Sequence, residues 1–141
     1  DATPAALDSV TDAVDRRRAQ HVIDENARVL AAVEALGHQD AVDFGQLMNA
    51  SHESLSTLYE VSSRALDSIA AHARRHDACF GARMTGGGFA GCAVALVQSA
   101  AAEEVTESVR REYRAESGTD PDIWTVRPSA GASVSIREDR A

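Results

Sequence analysis

Along the first half of the chain, apolar residues return at helical spacing. Val22, Val29, Val33 and Leu36 fall at helical intervals, with Ile23 and Leu30 beside them, and Gly37 supplies a C-terminal stop. A second helix is predicted over about residues 41–58, with Leu47, Met48, Ser51, Leu55 and Leu58 along one side. A third follows Ser62 or Ser63, either of which can cap it, and its buried face is Leu66, Ile69, Ala70 and Ala73. The period then changes. Phe80, Ala82 and Met84 alternate with Gly81, Arg83 and Thr85, as a half-buried strand requires. Cys92 to Val97 is an unbroken apolar run suited to a central strand, with Ala93 and Ala95 small enough to admit a closely packed helix. Ser99 is placed to cap a fourth helix that carries Val105, Val109 and Tyr113 and ends at Gly118. Residues 123–127 read as a strand stopped by Pro128, and residues 133–136 as a last short one.

Helices first, then strand, strand, helix and strand, is the order of an α+β fold: an antiparallel sheet packed with helices. The expected layout is one domain over residues 1–141. It is helical over 5–76, strand–glycine loop–strand over 79–98, helical over 100–117 and extended over 122–136. Residues 1–4 and 138–141 are expected as frayed ends.

Composition narrows the function classes. The 141 residues carry 14 basic and 22 acidic side chains, a net charge of -8, and every basic residue is Arg. This balance opposes binding to nucleic acid or to an anionic membrane, both of which call for a basic face. The longest apolar run, from Phe89 to Val97, is too short to span a bilayer. No charged segment followed by an apolar one opens the chain, so no secretion leader is expected and the cytoplasm is the expected compartment. Cys79 and Cys92 could face each other across a hairpin centred near Thr85 and Gly86, but a reducing compartment favours free thiols. The chain begins at Asp1 without Met, which suggests a processed product or a piece of something longer.

The chemistry concentrates between the two strands, in Gly81-Ala82-Arg83-Met84-Thr85-Gly86-Gly87-Gly88-Phe89-Ala90-Gly91-Cys92. A tight hairpin needs one or two residues at positive φ. Here three consecutive glycines and a fourth at Gly91 fall within seven positions. Glycine costs backbone entropy on folding, so the cluster needs a compensating reason. Either the loop takes unusual backbone angles, or another molecule approaches the backbone within hydrogen-bond distance. Free amides in sequence make an anion nest, phosphate is the natural guest, and Thr85 adds a hydroxyl donor. The pattern favours a functional loop over a wide turn. It is not a Walker A loop, which needs a Lys, and it does not open a helix as a dinucleotide fingerprint does.

The same residues resemble the third signature motif of the galactokinases, within the GHMP small-molecule kinase superfamily. The resemblance extends to His21-Val22-Ile23-Asp24-Glu25-Asn26-Ala27-Arg28-Val29, to Phe44-Gly45-Gln46-Leu47-Met48-Asn49-Ala50-Ser51-His52 and to Leu58-Tyr59-Glu60-Val61-Ser62. It also takes in Arg127-Pro128 with Gly131-Ala132, so it covers almost the whole chain in order. Ala90, where the family commonly has Gly, and the short connection between Val10 and Arg16 are departures; the second affects the first helix boundary.

This resemblance implies the last third of a galactokinase, which moves the γ-phosphoryl of ATP, with Mg, to the anomeric hydroxyl of galactose. It implies that Thr85, Gly86, Gly87, Gly88 and Phe89 help shape the phosphate and substrate pocket at a domain interface. The sugar-binding residues, the nucleotide-phosphate loop, and the catalytic Asp and Arg belong upstream. No catalytic or metal-binding residue is therefore assigned in this chain, and its first partner is the missing N-terminal kinase domain. A galactokinase-like non-catalytic sensor, or a sibling kinase acting on N-acetylgalactosamine or arabinose, would share these residues.

Several other features invite a function and have plainer explanations. Arg83 could clamp a phosphate, but as a strand residue it is expected to face solvent or pair with an acid. His72 and His76, four apart on a helix, are expected as a solvated pair rather than metal ligands. Ser51 and His52 face different directions and are expected to cap or hydrogen-bond the core. Arg16-Arg17-Arg18 is expected as a solvated helix face, Tyr59 with Glu60 as domain packing, and Cys92 as a small buried hydrophobe.

Overall fold

The computed structural model describes residues 3–134. After a 3-10 turn at Pro4–Ser9 come three α-helices, α1 (Ala13–Gly37), α2 (Ala41–Thr57) and α3 (Arg64–Arg74). Each begins where a side chain satisfies the free amides of its first turn. The Asp12 carboxylate accepts from Val14 and Asp15 at 2.8 and 2.9 Å, Asp40 does the same for Val42 and Asp43, and the Ser63 hydroxyl accepts from Leu66. The cap at Asp12 starts α1 well before Val22, through a turn too polar to register in the apolar pattern.

Strands β1 (Cys79–Thr85) and β2 (Cys92–Val97) pair antiparallel, with Thr85 opposite Cys92, Cys79 opposite Val97, and an irregularity between Cys79 and Gly81. This register keeps the two cysteines at different rungs, and both are free thiols. The other edge of β1 is closed by helices instead of a strand. The Asn49 side chain accepts from the Ala82 amide at 2.9 Å, His52 Nδ1 accepts from the Met84 amide at 3.0 Å, and Arg74 donates to the Ala82 carbonyl. Backbone packs on backbone at this contact. A Cβ on Gly81 would lie 2.0 Å from the Gly45 carbonyl oxygen, so only paired glycines let α2 sit this close to β1.

Helix α4 (Ala102–Ser117) packs with α3 around Ala70, Ala73, Ala78, Ala82, Val105 and Val109, a core built of small side chains. Ser99 does not cap it: Ser99–Ala101 form a 3-10 turn, and neither start carries a side-chain cap. Gly118, at φ 74°, ends α4 as expected.

Two expectations change. The predicted strand over residues 123–127 is irregular chain. Ile123 rests on the core while Trp124 and Val126 are exposed, and no neighbouring strand among the described residues offers them a ladder. Ser133 and Val134 are likewise irregular, and the remainder of the strand expected over 133–136 lies outside the described residues. The apolar stripe of α1 also faces solvent: Val29, Leu30, Val33 and Leu36 are 55–69% exposed. The helix instead buries His21, Ile23 and Ala35. No helix among the described residues is long and apolar enough to cross a membrane.

Candidate functional site: the glycine loop

Residues 86–91 connect the two strands. Gly86 and Gly88 sit at φ 80° and 82°, where a side chain is strained, and a Cβ on Gly88 would also lie 2.1 Å from the Val61 carbonyl oxygen. Phe89 donates its amide to that same oxygen at 2.6 Å. Its own φ of 58° is unusual for a bulky residue, and its ring stays 69% exposed. Gly87 differs from its neighbours. Its φ lies outside the left-handed region, and nothing stands within 4 Å of where a Cβ would be. Neither backbone angle nor packing in this chain demands glycine there. The Phe89 amide, and the Ala90 amide bonded to the Gly88 carbonyl, are committed within the protein. Among the donors left for a guest anion are the amides of Gly86, Gly87 and Gly88 and the exposed Thr85 hydroxyl.

The base of the loop is held by a relay that starts at the buried His52 and ends at the half-exposed Asp67 and Ser62. His52 Nδ1 accepts from Met84, so the ring proton sits on Nε2, which reaches Asp67 at 3.2 Å. Asp67 in turn accepts from Ser62 at 2.5 Å, next to the Val61 that anchors the loop tip. Burial lowers the His52 pKa below the ordinary histidine value, and the Arg74 charge adds to that against the opposing pull of Asp67. Beside it, Arg83 donates to the Met84 carbonyl at 3.1 Å and pairs with Glu25 at 3.4 Å, as an acid-paired strand residue should. Glu25 also accepts from Ser51 at 2.5 Å and from Arg28 Nε at 2.7 Å. Burial alone would raise the Glu25 carboxyl, but the Ser51 hydroxyl, Arg28 and Arg83 outweigh it and hold it below the usual carboxylate range.

Ser51 and His52 thus make the core hydrogen bonds expected of them. Their partners could not be read from spacing, since the packing of α2 on α1 and β1 sets them. The nearest sequence signal was Glu25 and Arg28, three apart on one helix.

Three minor expectations are corrected. His72 is buried, not solvated, with its ring nitrogens 3.1 and 2.8 Å from Glu112 and Glu116 of α4. His76 points separately toward Glu104 and accepts from the Ala78 amide. Arg16, Arg17 and Arg18 are not a free face. Arg16 donates to the Leu7 carbonyl, Arg17 and Arg18 pair with Glu60, and Arg18 also reaches the Leu58 carbonyl, because this turn of α1 lies over the end of α2. Tyr59, at the same end, stacks on His21 at 4.6 Å. Cys92 is exposed, because it begins β2, whose outer edge pairs with no further strand among the described residues. Among the described residues no group of three or more His, Cys, Asp or Glu is arranged to hold a metal ion.

Comparison with known proteins assigns the family. Residues 32–115 match the family described as GHMP kinases C terminal. The chain belongs to this family. The GHMP C-terminal chain is 46% identical over 110 residues to the galactokinase of Staphylococcus carnosus, covering 78% of this chain and 28% of that protein. It is 41% identical over 129 residues to the galactokinase of Mycobacterium bovis, covering 92% of this chain and 35% of that one. Among solved structures, Lactococcus lactis galactokinase complexed with galactose is similar with a TM-score of 0.78 at 38% identity, over 82% of this chain and 30% of that one. L. major mevalonate kinase in complex with R-mevalonate is similar with a TM-score of 0.61 at 30% identity, over 93% and 40% respectively. The expected α+β fold class, helices on an antiparallel sheet, is the one shared with the L. lactis enzyme. The chain spans 28–35% of the length of these curated relatives.

Proposed function

We propose that the chain is the C-terminal part of a galactokinase, an ATP-dependent phosphotransferase that forms galactose 1-phosphate. In this reading Thr85, Gly86, Gly87, Gly88 and Phe89 wall the phosphate and sugar pocket. The observation that carries the reading is Gly87, whose missing side chain serves nothing within the chain. A missing Cβ between fixed neighbours lets a phosphoryl or sugar oxygen approach the backbone directly. The galactokinases among the relatives supply the reaction and substrate.

Bound Mg-ATP would supply the transferred phosphoryl group. Catalysis of such a transfer rests mainly on positioning and on stabilising charge, which fixed backbone amides provide without titrating. The loop suits that task because it is anchored at both ends, by His52 and Arg83 at Met84 and by Val61 at Phe89. Its donors fit phosphoryl oxygens. The magnesium ligands, the general base and the charge-stabilising Arg are assigned to the remaining two thirds of the enzyme, with which the exposed Phe89 ring would pack. Two free thiols suit a reducing compartment, and we assign the protein to the cytoplasm on that ground.

The test joins this chain to the upstream portion of the S. carnosus galactokinase and follows galactose 1-phosphate by phosphorus NMR with galactose and Mg-ATP. The joined protein is expected to form product and this chain alone to form none. A joined protein that folds yet leaves galactose untouched would overturn the reading.

A further inference from the structure

Both ends of the glycine loop depend on a side chain that the loop itself never touches. The β1 end hangs on Met84, whose amide donates to His52 Nδ1 at 3.0 Å. The far end hangs on Val61, whose carbonyl accepts from Phe89 at 2.6 Å while its amide donates to the Leu55 carbonyl at 3.0 Å. Asp67, in the first turn of α3, reaches the support of each end. Its Oδ1 accepts from Ser62 Oγ at 2.5 Å and lies 3.2 Å from His52 Nε2, and its Oδ2 accepts from Ser56 Oγ at 3.3 Å. The backbone is strained on both sides of the tip contact. Glu60 and Phe89 hold φ of 56° and 58°, two of the three non-glycine residues in the left-handed region among the described residues. Such angles persist only where their surroundings hold them. Here the ion pairs of Glu60 with Arg17 and Arg18, and the bond from Ser62 to Asp67, do so.

We propose that Asp67 is a positioning residue that sets the glycine loop from both ends and so holds the amides of Gly86, Gly87 and Gly88 in one arrangement. The carboxylate touches no reacting atom. It acts through His52 on one side and through Ser62 on the other. Without it, the His52 ring loses the partner that orients Nδ1 toward Met84, and Val61 is free to shift together with the loop tip. A carboxylate suits this node because its oxygens accept from several donors at once. The proposal rests on the galactokinase reading only for its effect on turnover; the arrangement of the loop is a property of this chain.

The experiment measures amide hydrogen exchange of this chain by NMR. Asp67→Ala is expected to speed exchange at both Met84 and Phe89 by about 10-fold relative to Val109 of α4, the scale of losing a hydrogen bond to a charged group. Asp67→Asn keeps an oxygen for both donors and is expected to stay within about 2-fold of the natural chain. Ser62→Ala, a milder change, removes one arm and is expected to speed Phe89 alone. In the joined protein, Asp67→Ala is expected to lower kcat about 10-fold with KM within about 2-fold, and Asp67→Asn to restore it. Equal acceleration of all three amides would reduce Asp67 to a contributor to global stability and overturn the proposal. Unaltered exchange at Met84 and Phe89, an unchanged Phe89 in Ser62→Ala, or undiminished turnover of Asp67→Ala would overturn it too. A joined protein of natural sequence that makes no product would overturn the galactokinase reading instead, and the exchange ratios of this chain would still decide the proposal.

Discussion

At the scale of single residues, His52 determines how the loop responds to pH. Its Nδ1 accepts a hydrogen bond from the Met84 amide, so protonating the ring would set one N–H against another. Burial, aided by Arg74, keeps the folded pKa below the ordinary histidine value of 6.5. Below that value the unfolded chain therefore takes up a proton more readily than the folded one, and stability falls as pH falls toward the folded pKa. His21, lowered chiefly by burial, acts with the same sign. Glu25 contributes in a lower window: its stabilisation is full above 4.5 and is lost as pH drops through its depressed folded pKa. Urea unfolding across these ranges should give a plateau above the histidine value and a decline beneath it. His52→Gln, which keeps an acceptor for Met84 but cannot titrate, should flatten the upper part of the decline. An unchanged slope would remove His52 from the account. The sequence made a core role for Ser51 and His52 readable, because adjacent helical residues diverge. It could not reveal Asp67, Met84 or Glu25 as partners, because those meetings depend on how α2 lies between α1 and β1.

Elements were legible where local chemistry decides them and obscure where a partner does. The cap at Ser63, the alternation of β1 and the stop at Gly118 are local signals, and each resolves into an observed boundary, whereas the start of α1 at Asp12 lies in a polar turn outside the apolar pattern. A strand at residues 123–127 needs a neighbour to complete its hydrogen bonds, and its apolar residues alone could not provide one. The stripe on α1 is a second case of this kind. Helical spacing marks Val29, Val33 and Leu36 as a face, yet cannot say whether anything covers it. Since Val33 is 63% exposed, Val33→Ser should change the stability of this chain by no more than about 0.5 kcal/mol. A buried valine at that position would lose several times as much, so one thermal or chemical denaturation curve separates the two. The contact between α2 and β1 predicts the opposite outcome. Gly81→Ala places a methyl group on the Gly45 carbonyl, and the cost should be about 3 kcal/mol or more because backbone, rather than a flexible side chain, must move. A well-folded, nearly unperturbed Gly81→Ala chain would show that α2 does not seat there.

For the whole molecule, the loop has two sorts of glycine. Gly86 and Gly88 serve the chain's own backbone, and Gly88 also clears Val61; Gly87 serves neither. The sequence marked the cluster as a unit, and could not divide it, because three adjacent identical residues carry no internal contrast. That division is the basis for assigning the loop to a guest. The most direct test of the central claim is therefore Gly87→Val, measured twice. In this chain the thermal midpoint should move by no more than about 3 °C, since the space around the Cβ is open. In the enzyme completed with its upstream portion, kcat/KM for galactose phosphorylation should fall by about 100-fold or more, the scale of losing fixed donors at a transferring group. A collapse of the midpoint would make Gly87 a structural residue after all, and full activity with a valine in place would remove the loop from the active site.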